Sequence, residues 1–308
     1  MSGPVASEDA PEHAAPAPPE AATVEIAPSR SASVGGLTVR RALPRRERRS
    51  VGAWCFLDHF GPASLDHGDG MLVGPHPHTG LQTVTWLVSG EVLHRDSLGS
   101  EQLIRPGQLN LMTAGRGIAH AEETPTGGGA GLHGAQLWVA LPEATRDGEA
   151  AFEHHAELPR VALGRCVATV LLGEFAGERS PARADTRLAG VELAMPGGEA
   201  VLPLDPAFEH ALVVLDGAAS VGVGVVEPGA LCYLGLGRGR LELTSAGPAR
   251  ALLVGGVPFP DPLHMWWNFV ARSRADIDVA CREWNEGADR FGEVASQLPR
   301  IPAPPPPW

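Results

Sequence analysis

The sequence of 308 residues contains no lysine, since all 24 of its basic residues are arginine. P-loop NTPases, protein kinases and pyridoxal-phosphate enzymes each depend on a lysine, so the sequence excludes these classes of protein. The chain is also acidic, with a formal net charge of -12. A nucleic acid or an anionic membrane would require a clustered positive face, so neither is expected as a direct partner. The arginines that cluster between residues 40 and 49 are interpreted as a solvated edge or, alternatively, as a docking patch.

Cysteine is scarce and dispersed, and no two cysteines form a CxxC pair. Residues 1–33 are rich in alanine, proline and acidic residues and have neither the basic start nor the apolar segment of a secretion signal, so they are predicted to form a disordered tail. No apolar run approaches transmembrane length. The sequence therefore predicts a cytoplasmic protein with buried free thiols. The four thiols are those of Cys55, Cys166, Cys232 and Cys281.

Helical periodicity is scarce before about residue 265, whereas the chain contains 38 glycines and 29 prolines. This composition is typical of short strands joined by tight turns and predicts an all-β fold. HALVVLDGAASV (210–221) follows the pattern of QTVTWLVSGEVL (82–93), and EPGALCYLGLG (227–237) follows that of RPGQLNLMTAG (105–115). Because both halves repeat one supersecondary unit, two stacked β-barrels or sandwiches are expected.

One amphipathic helix is expected after the second barrel. Ser273 can cap its first turn and Gly287 can end it. Between them Ile277, Cys281 and Trp284 recur at helical spacing. The predicted organisation is a tail at 1–33, a first barrel with the candidate site at 34–142, a linker and the start of the second barrel at 143–190, the second barrel at 191–262, a helical segment at 263–296 and a polyproline-type tail at 297–308.

Two histidines flank a proline in the sequence GPHPHTGLQTVTW (74–86). Residues two apart in a strand point to the same side, so His76 and His78 should project together. Pro77 is tolerated at a strand start or edge, and its fixed φ stiffens the segment that presents the two rings. The alternative interpretation of this motif alone is a surface loop with two incidental histidines.

A second pair with the same spacing, His120 and Glu122, follows a glycine-rich turn in GRGIAHAEETP (115–125). Three imidazoles and one carboxylate from two strands of one barrel make a complete set of metal ligands. Mixed nitrogen and oxygen ligation with two positions left open in an octahedron suits a redox-capable first-row metal. The sequence therefore predicts a metal site in the first barrel, with Fe(II) as the preferred cofactor and Mn, Ni, Cu or Zn as alternatives.

The segment HPHTGLQTVTWLVSGEVLHRDSLGSEQLIRPGQLNLMTAGRGIAHAEETP (76–125) resembles the pirin family of bicupins, and LHGAQLWVALP (132–142) and MWWNFV (265–270) extend the resemblance. The resemblance implies two cupin domains, of β-barrel or jelly-roll type, that lie face to face with a C-terminal helix. It also implies one non-haem iron in the first barrel, held by the HPH and HxE motifs. Carried over by position, its ligands are His76, His78, His120 and Glu122.

The resemblance implies two hypotheses of function. The first is an oxidoreductase similar to quercetin 2,3-dioxygenase, acting on a flavonol-like or other enolisable small molecule in the first barrel, with Glu122 as both ligand and catalytic proton acceptor. The second is a metal- or redox-sensing regulator that binds a protein partner.

The second barrel is expected to lack a metal, because its only comparable residues, Glu209 and His210, are adjacent and should point to opposite faces.

Four polar residues are candidates for positions around the metal ligands. Gln82 stands where many pirins have a glutamate, and an amide there neither carries charge nor accepts a proton, which bears on any dioxygenase activity. His94 and Asp96 are candidate partners of the ligands or, alternatively, edge-strand polar residues. Gln136 and Trp138 are two apart on one strand and are expected to line the pocket, although Trp138 equally suits a core position. Trp266 and Trp267 are expected to serve in packing.

Overall fold

The computed structural model describes residues 23–64, 70–125 and 131–308. Strands account for most of the regular structure, as the glycine- and proline-rich sequence predicted. The first twelve strands, in chain order, are β1 (Glu25–Ala27), β2 (Arg30–Val34), β3 (Leu37–Leu43), β4 (Trp54–Ser64), β5 (Leu72–His78), β6 (Leu81–Ser89), β7 (Val92–Asp96), β8 (Glu101–Ile104), β9 (Leu109–Thr113), β10 (Ile118–Glu123), β11 (Gly131–Ala140) and β12 (Ala151–His155).

The first barrel is made of two antiparallel sheets. A seven-stranded sheet has the order β12-β9-β6-β11-β4-β3-β2, and a four-stranded sheet has the order β5-β10-β7-β8. Both strands that carry the predicted ligand motifs, β5 and β10, lie side by side in the smaller sheet. The candidate ligands therefore come from neighbouring strands of one barrel.

The second barrel repeats this plan with its own two sheets. The larger has the order β1-β21-β18-β23-β16-β14-β13, with β15 paired to β14, and the smaller has the order β17-β22-β19-β20. Its strands after β1 are β13 (Arg160–Leu163), β14 (Cys166–Phe175), β15 (Glu178–Arg179), β16 (Leu188–Met195), β17 (Gly198–Pro203), β18 (Glu209–Asp216), β19 (Ala219–Val221), β20 (Gly224–Val226), β21 (Leu231–Gly235), β22 (Arg240–Ser245) and β23 (Ala249–Gly256).

The two barrels lie face to face through their larger sheets, which share one hydrophobic core. The Trp54 indole crosses between them and donates to the Gly255 carbonyl at 3.1 Å. Gly190 permits this approach, because a Cβ there would lie only 2.6 Å from the Trp54 ring. The shared core includes Val84, Trp86, Leu109 and Leu111 of the first barrel and Leu171, Val213, Leu252 and Val254 of the second.

The interior of the second barrel is packed with apolar side chains. As expected from their adjacency, Glu209 and His210 point to different surroundings. The Glu209 carboxylate accepts from the Gly52 amide at 2.9 Å and from the Tyr233 hydroxyl at 2.9 Å, whereas His210 is buried beside Phe208. The packed interior includes Leu202, Leu212, Val214, Leu234, Leu243 and Leu253.

The predicted helix is confirmed. It spans Arg274–Glu286, α1, with Ser273 accepting from the Asp276 amide at its start and Gly287 in the left-handed conformation, φ 79°, at its end. The segment predicted as helical, 263–296, also contains a β-hairpin of two short strands, which the sequence analysis did not predict. The remaining elements are β24 (His264–Trp266), β25 (Phe269–Ala271) and a 3₁₀ helix at Asp289–Phe291.

Both ends of the described chain are more ordered than the predicted tails. Of residues 1–33, residues 1–22 lie outside the described residues, but β1 and β2 begin before residue 34, and β1 pairs with β21 of the second barrel. At the other end, the Ile301 amide donates to the Pro75 carbonyl at 2.9 Å. The Trp284 indole donates to the Ile301 carbonyl at 2.9 Å. The proline-rich segment therefore lies along β5 and α1.

All four cysteines are free and buried, as predicted. Burial raises the pKa of Cys55 to about 12, so this thiol is protonated at neutral pH. In the part of the chain that the structure describes, no helix combines the length and apolarity required to cross a membrane. The cytoplasmic location stays a prediction.

A buried histidine pair lies between the barrels. His59 Nε2 and His133 Nε2 are 2.9 Å apart, and the side chain of His59 is fully buried. Burial, the neighbouring His133 and Arg40 lower the pKa of His59 from 6.5 to about 3. The folded protein therefore holds His59 neutral under conditions in which an exposed imidazole would be charged.

This pair predicts a specific loss of stability in acid. As the pH falls below about 6.5, unfolded chains bind a proton at residue 59 that the folded protein excludes, so the free energy of unfolding should drop by about 2 kcal/mol between pH 6.5 and 5 from this group alone. His59→Gln removes that proton and should flatten the dependence accordingly. Guanidinium unfolding at several pH values measures both slopes, and equal slopes for the two proteins would contradict the assignment.

Candidate metal centre

The site is built on two neighbouring antiparallel strands. On β5, His76 and His78 alternate with Pro77 and project into the barrel. On β10, His120 lies directly opposite His76, and a register shift separates it from Glu122. The two motifs recognised in the sequence therefore meet across one strand pair.

Three imidazoles converge at this point. One ligand nitrogen each from His76, His78 and His120 forms a group within 4.8 Å, and the Nε2 atoms of His78 and His120 are 3.1 Å apart. The ring centroids of His76 and His120 are 4.3 Å apart. All three side chains are buried.

Two of the rings are oriented by backbone carbonyls. His76 Nδ1 lies 2.9 Å from the Gly74 carbonyl, and His78 Nδ1 lies 3.0 Å from the Asn268 carbonyl. A carbonyl oxygen only accepts, so each Nδ1 carries the proton. In the neutral rings the lone pair is then on Nε2, which is the form that binds a metal.

The imidazoles are neutral because they are buried. Burial lowers the pKa of His76 to about 4, and it holds the pKa values of His78 and His120 well below 6.5, with neighbouring histidines acting in the same direction. Neutral nitrogen lone pairs that converge without counter-charge repel one another unless a cation or a shared proton lies between them. The donor set therefore fits a divalent first-row metal.

Glu122 lies in the same cavity but not within the three-histidine group. One oxygen of its carboxylate, one ring nitrogen of His94 and one ring nitrogen of His120 lie within 4.8 Å of one another. Burial raises the pKa of Glu122, while His94 and a hydrogen bond from Thr85 act in the opposite direction. The Thr85 hydroxyl lies 3.3 Å from the Glu122 carboxylate and 2.9 Å from the Gln136 side chain. Gln136 therefore approaches Glu122 through Thr85.

Gln82 lies elsewhere than the sequence analysis expected. It precedes Thr85 by three residues on β6, and side chains three apart in a strand face opposite sides. Its amide donates to Thr113 Oγ1 at 3.0 Å and to the Arg183 carbonyl of the second barrel at 3.3 Å. Gln82 is thus buried between the barrels, on the face of β6 that also carries Val84.

His94 and Asp96 lie on β7, which pairs with β10 on the side away from β5. Both are buried, and His94 Nδ1 is 3.4 Å from His120 Nδ1. His94 Nε2 is 3.3 Å from the Asp96 carboxylate. These two residues therefore join the imidazole cluster through its third ring.

A cavity of about 470 Å³ opens onto the imidazoles. One wall is a ladder of flat groups: the Arg41 guanidinium lies 4.6 Å from the centre of the Phe56 ring, Phe56 stacks on Trp138 at 4.0 Å, and Trp138 meets His78 edge-on at 5.1 Å. Trp138 thus belongs to both the core and the cavity wall. The rest of the rim includes Met265, Trp266, Trp267 and Ile301.

The hairpin of β24 and β25 supports the centre from outside the barrel. Its turn residues are Trp267 and Asn268, and the φ of Trp267 is 52°, in the left-handed region that non-glycine residues rarely adopt. This turn directs the Asn268 carbonyl to His78, so the tolerated strain lies next to the candidate ligands. Trp266 and Trp267 therefore line the cavity in addition to their expected role in packing.

Several contributors were missed from the sequence. Arg41 and Asp58 form a bidentate ion pair in the cavity wall, with distances of 2.8 and 2.7 Å. Thr85 could have been found by extending the strand alternation from Leu81, since both face the barrel interior. The Asn268 carbonyl had no signal in the sequence, because any residue type supplies that group.

The two face-to-face cupin barrels, one with a buried imidazole cluster open to a cavity, define the molecule as a bicupin with a candidate metal centre in its first barrel. The Pirin profile matches residues 36–139, and the Pirin C-terminal cupin domain profile matches residues 191–292. The chain belongs to the pirin family.

Similar proteins support this assignment. The chain is 50% identical over 284 residues to "Putative quercetin 2,3-dioxygenase PA1205" of Pseudomonas aeruginosa, covering 91% of this chain and 90% of that protein. A crystal structure of quercetin 2,3-dioxygenase from Acinetobacter baumannii superposes with a TM-score of 0.89 at 44% identity, over 92% of this chain and 96% of that one. A bacterial pirin from Escherichia coli in complex with nickel(II) shares the fold, with a TM-score of 0.61 at 16% identity, over 77% of this chain and all of that one.

The ion pair in the cavity wall makes a prediction about stability. Asp58 is buried, so Arg41→Met should leave an uncompensated carboxylate and lower the free energy of unfolding at pH 7 by about 3 kcal/mol. The double variant Arg41→Met, Asp58→Leu removes both charges and should be more stable than the single variant. Denaturant unfolding of the wild type and both variants tests this, and a double variant less stable than Arg41→Met would refute it.

Proposed function

We propose that this protein is a metal-dependent dioxygenase that acts on a flavonol-like or other enolisable aromatic compound in the first barrel. The observation that carries the proposal is the convergence of three neutral imidazoles, with Glu122 nearby, in a cavity with a flat aromatic wall. The dioxygenase names of the relatives in Pseudomonas aeruginosa and Acinetobacter baumannii support the same reaction class.

The residues that would hold the metal are His76, His78, His120 and Glu122. Imidazole and carboxylate donors suit several divalent first-row metals, among which we propose Fe(II), with Mn, Ni, Cu and Zn as alternatives. When bound, such a metal would supply open coordination positions and redox chemistry for dioxygen. The Glu122 carboxylate lies within 4.8 Å of ring nitrogens of His94 and His120 but is not part of the three-histidine group. To complete the set it would have to move toward the three histidines or bind through a water.

The remaining residues would bind and orient the substrate. Phe56 and Trp138 offer parallel rings against which a planar aromatic can pack. Glu122, whose pKa is raised by burial, would accept the proton of a substrate hydroxyl, and Thr85 would orient its carboxylate. Apolar groups around the mouth would exclude water. The names of the relatives do not favour the second hypothesis, a regulator that acts through a protein partner.

Metal content should depend on the predicted ligands. His76→Ala removes one donor from the cluster, and Glu122→Ala removes the carboxylate, so each variant should bind substantially less metal than the wild type after reconstitution with Fe(II). The control is His154→Ala, because His154 is a histidine of the same barrel that bonds to the Asn110 side chain at 2.7 Å and is not one of the residues that line the cavity. Elemental analysis measures the content, and full occupancy in His76→Ala would refute the proposed ligand set.

Activity should follow metal content. The wild type reconstituted with Fe(II) under anaerobic conditions should consume oxygen when a flavonol and air are supplied, with matching loss of the flavonol absorbance. Glu122→Gln keeps the shape of the side chain but cannot accept the proton, so its rate should fall at least tenfold at equal iron content. An iron-loaded wild type that consumes no oxygen across a panel of flavonols and other enolisable aromatics would overturn the proposal.

A further inference from the structure

A line of polar side chains leads from the imidazole cluster away from the cavity. His120 Nδ1 lies 3.4 Å from His94 Nδ1, and His94 Nε2 lies 3.3 Å from Asp96 Oδ2. The side chains of His94 and Asp96 are only 3% and 0% exposed, so water has little access to either contact. Each side chain in the line therefore depends on its neighbour for a hydrogen-bond partner.

The strand register places these groups on one face. β7 and β10 are antiparallel, with Asp96 opposite His120 and His94 opposite Glu122. The diagonal contact between His94 and His120 follows from this pairing. The His94 ring is further held by stacking on Phe152, with centroids 4.5 Å apart and planes 17° from parallel.

Asp96 is anchored so that one oxygen faces His94. Its other oxygen, Oδ1, accepts from the Leu98 amide at 2.9 Å and from the Ser100 amide at 3.0 Å. Two backbone N–H groups require an acceptor at that position, whatever the residue is. Only Oδ2 remains for His94, and an ionised carboxylate accepts without donating.

This anchoring determines the protons in order along the line. Because Asp96 Oδ2 accepts, His94 must donate from Nε2, and in the neutral form of the ring the lone pair is then on Nδ1. His120 must donate to that lone pair from its own Nδ1. The lone pair of His120 is therefore on Nε2, the nitrogen that lies 3.1 Å from His78 Nε2.

We propose that Asp96 is a positioning residue that fixes the tautomer of His120 through His94, so that His120 presents a metal-binding lone pair to the centre. The inference rests on the proposed metal site for its consequence, but the tautomers themselves are properties of the metal-free protein. Gly74 and Asn268 orient the other two rings with carbonyls, whereas His120 depends on two side chains in series.

Asp96→Asn tests the proposal because it should reverse the direction of each hydrogen bond along the line. The Leu98 and Ser100 amides still require an oxygen at the position of Oδ1, so the side-chain amide nitrogen of this variant would face His94 and donate to Nε2. His94 would then donate from Nδ1 to His120 Nδ1, and the proton of His120 would move to Nε2. Two-bond ¹⁵N–¹H spectra of histidine-labelled, metal-free protein at pH 7.5 distinguish the two tautomers of each ring.

The expected result is Nδ1–H for His120 in the wild type and Nε2–H in Asp96→Asn. A wild-type His120 that carries its proton on Nε2 overturns the proposal without any variant, as does an unchanged His120 tautomer in a folded Asp96→Asn protein. His94→Gln provides a second variant, because its amide nitrogen can donate to Asp96 while its amide oxygen accepts from His120. His94→Leu cannot relay a hydrogen bond, so adding Asp96→Asn to His94→Leu should leave the His120 tautomer of that variant unchanged.

Metal binding supplies an independent readout. Titration with Fe(II) under anaerobic conditions should give a dissociation constant that is 10- to 100-fold higher for Asp96→Asn than for the wild type. The matched control is Glu192→Gln, a buried carboxylate in the second barrel paired with Arg250 at 2.6 Å, which should keep wild-type affinity.

These measurements separate the two proposals. A wild type with the expected tautomers that binds no divalent metal would count against the proposed function and leave the role of Asp96 standing. A wild type that binds Fe(II) with equal affinity in Asp96→Asn would overturn the role of Asp96 and leave the proposed function intact. If His94 itself were a ligand, as its group with His120 and Glu122 allows, His94→Gln would lose metal while its His120 tautomer stayed correct, and that outcome would also overturn the positioning role.

Discussion

The candidate centre depends on the hydrogen bonds that hold the outer nitrogens of its imidazoles. The Gly74 carbonyl fixes His76, and the Asn268 carbonyl fixes His78. His94 contacts the outer nitrogen of His120. A free imidazole can place its lone pair on either nitrogen, and only the inward tautomer can bind a metal. Burial then keeps the rings neutral, so orientation and protonation state are both set before any ligand arrives.

These supports bring distant parts of the chain to one barrel. The carbonyl of Asn268 comes from a hairpin that follows the second barrel, and Ile301 of the C-terminal segment reaches the rim of the same cavity. The first barrel therefore does not complete its centre from its own strands. The shared core fixes the two barrels against each other, and the packing of α1 on β25 fixes the position of the hairpin. A site in the first barrel therefore depends on the folding of the second barrel and of the C-terminal segment.

The sequence predicted the strand-rich fold, the repeat, the limits of α1 and the meeting of the HPH and HxE motifs in one barrel, because each has a short periodic signal. It did not predict the β1 pairing with the second barrel or the Asn268 carbonyl, since backbone groups carry no residue signature. The sequence placed Gln82 around the candidate ligands through the family resemblance alone. Strand alternation along β6 puts its side chain on the face between the barrels, opposite to the face of Thr85.

The two barrels provide an internal comparison of what the fold requires. Both have a large and a small antiparallel sheet, yet one interior is filled by residues such as Leu212 and Leu243 and the other buries three imidazoles with Glu122 and Asp96. Burying polar groups costs free energy unless every one is satisfied, and the second barrel shows that this topology folds around an apolar interior. The polar cluster is therefore not needed for the architecture. A polar cluster that the architecture does not need, with a hydrogen-bonded support for each ring, is the pattern expected of a binding site.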